Sequence, residues 1–264
     1  MGPPVFWSSS VGAEVLRLSG AEGHHAAVVR RLAVGERVAV SDGRGAIVQG
    51  RVRAVDKRGV DVSVESRARV PVPAPRVTVV QAMPKGSRAE LAVEALTEVG
   101  VDRIVPWASA RSQVRVSGEH GERLVARWGA WAHEASKQSR RAWFCEVAPA
   151  ASTAEVAALL AGSSCGLVLH EGAAEPLSVP GGVADVVLVV GPEGGLTDAE
   201  LLALLPSTTP SGAVSTSAAT PGDDLAPAYG VRAVRAVRLG DTVLRTSTAG
   251  AVAAGVVLAA TRWR

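Results

Sequence analysis

From Val186 to Glu200 the chain reads VVLVVGPEGGLTDAE. An apolar run rich in β-branched residues stops at Gly191-Pro192-Glu193-Gly194-Gly195. That is the pattern of a buried strand ending in a tight loop, whose glycines let the backbone approach a ligand closely. Thr197 and Glu200 stand at the spacing of a capping box, which predicts that a helix starts at once. Strand, glycine loop and helix in this order are how open α/β sheets build ligand sites at the ends of their strands. The loop has neither the lysine of a phosphate-binding P-loop nor GxGxxG spacing, so a polyphosphate or dinucleotide is not indicated. Glu193 and Asp198 make it acidic, which suits a ligand with a positive or neutral group. A second loop repeats the logic: Val234 and Val237 lead into LGDTVLRTSTAG at Leu239–Gly250. Either loop alone is compatible with a plain turn between strand and helix. Two of them, one ending in Leu-Arg-Thr, point to a shared site.

GPEGG followed by LGxxVLRT resembles the SPOUT class of S-adenosylmethionine-dependent RNA methyltransferases, and within it the RsmE family, which methylates uridine N3 in 16S ribosomal RNA. Further pieces match in order. His24-His25 with Val29-Arg30-Arg31 resembles the family's HH…VLR segment, and Asp42-Gly43-Arg44-Gly45 its DGxG hairpin. Lys85-Gly86, Arg88 and Glu90 resemble K-G-x-R-x-E, and Glu98–Val101 stands for ELGV. Ser109–Ser112 matches SxRS, and Glu134-Ala135, Gln138-Ser139 and Arg141 match EAxxQSxR. The resemblance covers nearly the whole chain.

It implies an α/β fold: a C-terminal SPOUT domain knotted as a trefoil over residues 76–264, behind a small PUA-like β-barrel over residues 1–70. It also implies S-adenosylmethionine as cofactor, held by Leu169, His170, Gly191, Pro192, Glu193, Gly194, Leu239, Gly240, Val243, Leu244 and Arg245. Backbone groups of the two loops would read the adenine edge, a task that needs no particular side chain. RNA contact is expected at Arg30, Arg31, Lys85, Arg88, Arg111, Gln138 and Arg141. For methyl transfer to uridine N3, Arg245 is the first candidate to stabilise the charge developing on O2 and O4, and Arg141 the second. Alternatively, Arg245 pins its loop through a salt bridge. The expected partners are the small ribosomal subunit and a second copy of the chain.

One position departs from the family. Where it commonly reads LRTETA, this chain has Leu244-Arg245-Thr246-Ser247-Thr248-Ala249. A serine is no carboxylate base, so Ser247 either substitutes by hydrogen bonding or puts catalysis in question. The competing readings are therefore a methyltransferase with another RNA target, and a non-catalytic RNA-binding or ribosome-assembly protein.

Composition sets the bounds. At 264 residues, 47% hydrophobic and 20% charged, the chain can bury one large core or two ordinary ones. The formal net charge is only +3 while the sequence pI is near 9.3, so basic groups act through placement. Cys145 and Cys165 are the two cysteines and have no CxxC spacing, the pattern of reduced cytosolic thiols. No metal site is expected, since adjacent His24-His25 rarely converge on one ion. The start lacks the charged and apolar regions of a secretory signal. The longest apolar stretch, Ala249–Ala260, is too short for a bilayer span. A cytoplasmic protein follows, with that stretch as a buried helix of small residues.

Along the chain, Arg37–Ser41, Ala46–Val55 and Val60–Glu65 read as strands joined by turns at Asp42-Gly43 and Lys57-Arg58-Gly59. Val70–Pro75 alternates proline and reads as a linker. A strand at Val77–Ala82 and a helix at Ser87–Val99 follow, the helix with Leu91, Ala95 and Val99 as its apolar stripe and Leu96 beside them. Glu94 is expected on a solvated face, whereas Glu90 and Glu98 fall on positions of the resembled family's motifs, which implies a functional or dimer-packing role for them. Another strand is predicted at Arg103–Pro106. Ser109–Arg141 is basic, with Trp107, Trp128 and Trp131 interleaved. Those tryptophans are either core or platforms for splayed bases. Ser207–Tyr229 is low in large apolar residues and is expected to be a mobile surface loop.

Overall fold

The computed structural model describes residues 2–114, 118–205 and 233–263. The 207–229 segment and Arg115 lie outside them.

Five strands form the first sheet: β1 (Val5–Trp7), β2 (Val15–Leu18), β3 (Arg37–Ser41), β4 (Ala46–Asp56) and β5 (Gly59–Arg69), in the order β1-β3-β4-β5-β2. Between β2 and β3 runs a short helix, α1 (Gly20–His24), which widens into a π turn over His25–Val29. The Asp42 carboxylate accepts from the Arg44 and Ala46 N–H groups, folding the β3–β4 turn. At the β4–β5 turn Gly59 has φ +152, and a Cβ there would lie 1.9 Å from Leu18 O. Only glycine lets β2 close over this hairpin. Phe6, Leu18, Val38, Val40, Val60 and Val62 make the core of the unit.

After the 70–75 stretch the chain turns α/β. The strands are β6 (Arg76–Ala82), β7 (Arg103–Trp107), β8 (Glu146–Val147), β9 (Cys165–Leu169), β10 (Asp185–Val190) and β11 (Ala233–Val237). They pair in the order β11-β9-β10-β6-β7-β8, parallel throughout. A parallel sheet is covered on both faces, which is why β10 reads as an unbroken apolar run. One face packs against α2 (Ser87–Val99), α3 (Gly118–Gln138) and α6 (Thr246–Thr261). The other packs against α4 (Thr153–Gly162) and α5 (Asp198–Leu204). Trp107 and Trp128 are fully buried in these cores, which removes them as base platforms.

The face of α2 differs from the predicted stripe. Leu91 is 54% exposed, whereas Ala89, Ala92, Val93 and Leu96 are buried. Small residues win because α6 comes close here. Within α6, a Cβ on Gly250 would meet Gln81 Oε1 at 2.8 Å, so glycine sets how near α6 lies to the sheet.

The first sheet docks on the end of α3. His133 stands edge-on between Trp7 and Phe144, with ring centroids 5.4 and 5.1 Å away. Beside it the nearly buried Lys137 ammonium meets the carboxylates of Glu22 and Glu134. Burial pulls this ammonium down, but those hydrogen bonds outweigh it and hold its pKa above the ordinary lysine value.

At the edge where the strands begin, Asp102 is 5% exposed and gathers three donors. It accepts from Val77 N–H at 2.8 Å, from Arg141 at 3.5 Å and from Arg262 just beyond α6. Arg262 also donates to Pro75 O and Gly100 O.

Candidate functional site

Five of the six strands of the parallel sheet finish on one edge, at Ala82, Trp107, Leu169, Val190 and Val237, and the two motif loops leave from there. After β10 the chain turns tightly, Gly195 N–H donating to Pro192 O at 2.9 Å with φ +70 at Gly195. The predicted capping box is present: Thr197 Oγ1 accepts from Glu200 N–H, and Glu200 accepts from Thr197 N–H at 2.9 Å. The other oxygen of Glu200, a 4% exposed residue, accepts from Ala110 N–H at 2.8 Å. One carboxylate therefore starts α5 and anchors the loop after β7. From that loop Arg111 reaches across to donate to Gly194 O at 2.9 Å, bringing this arginine onto the glycine loop.

The second loop runs from Leu239 to Arg245 and opens α6. Thr246 Oγ1 donates to Gly191 O at 3.0 Å, joining the two motifs directly. Gln81, fully buried at the end of β6, donates to Thr246 O at 3.2 Å and to Ala82 O at 3.0 Å. Leu169 and Leu239 are half-buried against the core, and His170 N–H donates to Val237 O at 3.0 Å. Gly240 is exposed, and a Cβ on it would meet nothing within 4 Å. Leu169 and His170 at the end of β9, Gly191 and Pro192 after β10, and Leu239 and Leu244 after β11 thus lie at the ends of neighbouring strands and in the loops that leave them. Glu193 and Gly194 are exposed in the first loop. Val243 is 79% exposed and forms no wall within one chain.

Arg245 caps α6 with its backbone only and is exposed. Among the described residues its guanidinium has no hydrogen bond or ion pair, so the alternative of a loop-pinning bridge finds no partner there. Ser247 is buried in the first turn of α6. Lys85 and Arg88 flank the start of α2, exposed, on this same edge.

The other basic candidates are elsewhere. Arg30, Arg31 and Gln138 are exposed, and Arg30 and Gln138 line a hollow between the π turn and the end of α3. Arg141 is a correction. Its side chain is 12% exposed, and it donates to Trp143 O and Thr97 O, both at 2.8 Å, as well as to Asp102. Burial pulls it below the ordinary arginine value. It sits where the strands begin, roughly a strand length, about 15 Å, from the motif loops. It is a structural residue and leaves the catalytic and RNA-contact sets of its own chain. Next to it, burial pushes the Cys145 thiol up to about 12, so this cysteine is inert. Sequence reasoning missed Gln81, Thr246 and the second bond of Glu200, for which no local spacing gave a signal.

A model of the RNA methyltransferase domain matches residues 71–209, and a model of the RNA methyltransferase PUA domain matches residues 18–65. Ribosomal RNA small subunit methyltransferase E of Mycobacterium tuberculosis is 39% identical over 253 residues, covering 93% of this chain and 87% of that protein. The chain belongs to the ribosomal RNA small subunit methyltransferase E family. Its namesake in Bacillus subtilis is 26% identical over 203 residues, or 72% of this chain and 78% of that one. Among solved structures, a Legionella pneumophila methyltransferase in complex with S-adenosylmethionine superposes with a TM-score of 0.78 at 26% identity, covering 99% of each chain. A family member from Neisseria gonorrhoeae, bound to S-adenosylmethionine, gives 0.79 at 22% identity over 98% of each chain and shows the shared fold.

Proposed function

We propose that this family member transfers a methyl group from S-adenosylmethionine to N3 of a uridine in 16S ribosomal RNA of the small subunit. The observation that carries the reading is the bond from Thr246 to Gly191 O, which fastens the two motif loops to each other, with Arg245 free in the second. The residues there fit this cofactor: half-buried Leu169 and Leu239 suit an adenine face, backbone groups suit its polar edge, and Gly240 is exposed. When bound, the cofactor supplies a sulfonium methyl that is already activated.

The chain's own task is then alignment and charge. Gln81 and Thr246 hold α6 and the second loop in one geometry, so that donor and acceptor meet in line. Arg245 stabilises the negative charge that spreads over uracil O2 and O4 as N3 loses its proton. Lys85, Arg88 and Arg111 hold RNA phosphate at the loop edge, and Arg30, Arg31 and Gln138 hold it near the first sheet. In this reading residues 1–70 are the RNA-binding domain and 76–264 the catalytic one, with α6 threaded past β10 as the last pass of a trefoil knot.

The enzyme acts as a homodimer in the cytoplasm. Val252 and Val256, one turn apart on α6, are 41% and 42% exposed, Trp263 beyond the helix end is 58% exposed, and Leu91 on α2 is 54% exposed. A second copy would cover these side chains, and light scattering at micromolar concentration tests the association. Among the described residues no helix is long and apolar enough to cross a membrane.

Unmodified small subunits are incubated with labelled S-adenosylmethionine and the enzyme, digested, and their nucleosides separated by mass spectrometry. Labelled 3-methyluridine is expected. Label in another nucleoside would discard the N3 assignment. Failure to bind the cofactor in a calorimeter would leave an RNA-binding protein.

A further inference from the structure

Between the first sheet and the end of α3 lies a cavity of about 290 Å³, on the side of β1 facing the Asp42-Gly43 turn. Trp7, His133 and Phe144 contribute aromatic surface, Asp42 and Glu146 carboxylates, and Arg44 stands at the mouth. None of the functions assigned above uses it. Its volume is at the lower end of ligand pockets, roughly 300 Å³, which suits one heteroaromatic ring system. The chain segments that wall it are rigidly joined: Phe144 N–H donates to Gly43 O at 3.0 Å, and Trp143 Nε1–H to Val70 O at 3.0 Å.

The polar groups select the occupant. Two carboxylates disfavour a phosphate inside the cavity, while the exposed Arg44, whose guanidinium makes no bond among the described residues, is placed to meet one outside. Asp42 Oδ1 is committed to its turn. Glu146 is freer. Its neighbour Arg103 approaches to 3.4 Å, yet the Arg103 Nε–H has no hydrogen-bond partner. A carboxylate beside aromatic walls matches a base with two adjacent N–H donors on its Watson–Crick edge. Among the four RNA bases only guanine has them, in N1–H and the N2 amino group. Single-stranded RNA is read in this way, by stacking an unpaired base and bonding its edge.

We propose that this cavity is a nucleobase pocket that takes an unpaired guanine of the substrate RNA, stacked among Trp7, His133 and Phe144 and read by Glu146. It rests on the RNA methyltransferase reading and adds to it a second, sequence-selective contact away from the reacting uridine. Burial, and next the Lys137 charge, hold the His133 imidazole below the ordinary histidine value. The ring is therefore neutral at pH 7 and adds no phosphate-seeking charge.

The test uses the full chain and fluorescein-labelled oligouridines carrying one central guanosine or adenosine, followed by anisotropy. The guanosine oligomer should bind about tenfold more tightly. Glu146→Gln, at an exposed position outside the core, should abolish that preference, and Phe144→Leu should weaken both oligomers. Each variant's cofactor affinity should match the parent's, which certifies its fold. Equal binding of the two oligomers by the parent, or a preference unchanged in Glu146→Gln, overturns the pocket even if ribosomal RNA is still methylated. A parent that neither binds S-adenosylmethionine nor methylates ribosomal RNA overturns the reading beneath it.

Discussion

Replacing Asp102 with alanine strikes a carboxylate that joins the start of β6 to Arg141 after α3 and to Arg262 after α6. The carboxylate is 5% exposed, and the arginine side chains it faces, Arg141 and Arg262, are only 12% and 14% exposed. Removal leaves two poorly solvated guanidiniums facing each other without a counter-charge and takes away the acceptor of Val77 N–H. Breaking a buried ion pair by deleting one partner costs about 3–5 kcal/mol, and an orphaned buried N–H adds about 1–3 kcal/mol. Arg141 and Arg262 keep carbonyl acceptors at Thr97, Trp143, Pro75 and Gly100, so the net loss should be near the lower end, about 4 kcal/mol. Whole domains are stable by roughly 5–15 kcal/mol, so the variant should still fold at 25 °C. Its Tm should fall by about 8–16 °C. Urea unfolding followed by tryptophan fluorescence would read the change, with an unaltered slope confirming that stability alone moved. Asp102→Asn, which keeps an acceptor for Val77, should lose less. Cofactor affinity should be unchanged, because Asp102 lies at the far edge of the sheet. A loss under about 1 kcal/mol in Asp102→Ala would refute the claim that the carboxylate organises this corner.

Three further outcomes follow from the site and its surroundings. Arg245→Ala should lower kcat by about 100–1,000-fold, the scale of a lost charge-stabilising donor, while calorimetric affinity for S-adenosylmethionine changes little; an unchanged kcat would move the charge-stabilising role elsewhere. Ser247→Ala should retain activity within about tenfold, and a thousandfold loss would make Ser247 indispensable to proton transfer. His133, held below its ordinary value chiefly by burial, binds a proton more weakly folded than unfolded. Its contribution is thus complete above about pH 6.5 and is lost as the pH falls below that value. A Tm profile between pH 7.5 and 5 should decline less in His133→Gln than in the parent, and parallel profiles would show that the imidazole does not titrate there.

The fold was legible wherever one period dominated. Arg37–Ser41, Ser87–Val99 and the β10 run are found where hydrophobic patterning and caps predict them. β1 and β2 are only three and four residues long, and their register comes from partners far along the chain. The buried face of α2 was misread because close packing against α6 selects alanine and valine over the larger Leu91. Backbone loops of the site were likewise readable, since glycines and a capping box leave local marks. Their fasteners were not. Thr246 to Gly191 spans 55 positions, Ala110 to Glu200 90, and Gln81 to Thr246 165, and such contacts leave no mark in local spacing. Arg141 shows the converse: a motif match cannot say at which end of a parallel sheet a side chain will come to rest.

That sheet has a direction, and the molecule can use it as a calliper. Glu146 pairs in register with Arg103, the first residue of β7, so the guanine pocket opens near the edge where strands start, while the methyl-transfer loops leave the edge where they stop. Within one chain the two jaws stand apart by roughly the length of a strand, about 15 Å, a gap no single nucleotide bridges. An RNA must then present its guanine and its uridine at a set separation, so selection would depend on the folded shape of the ribosomal RNA and not on the bases beside the target. Oligonucleotides too short to reach both jaws should bind and yet be poor substrates.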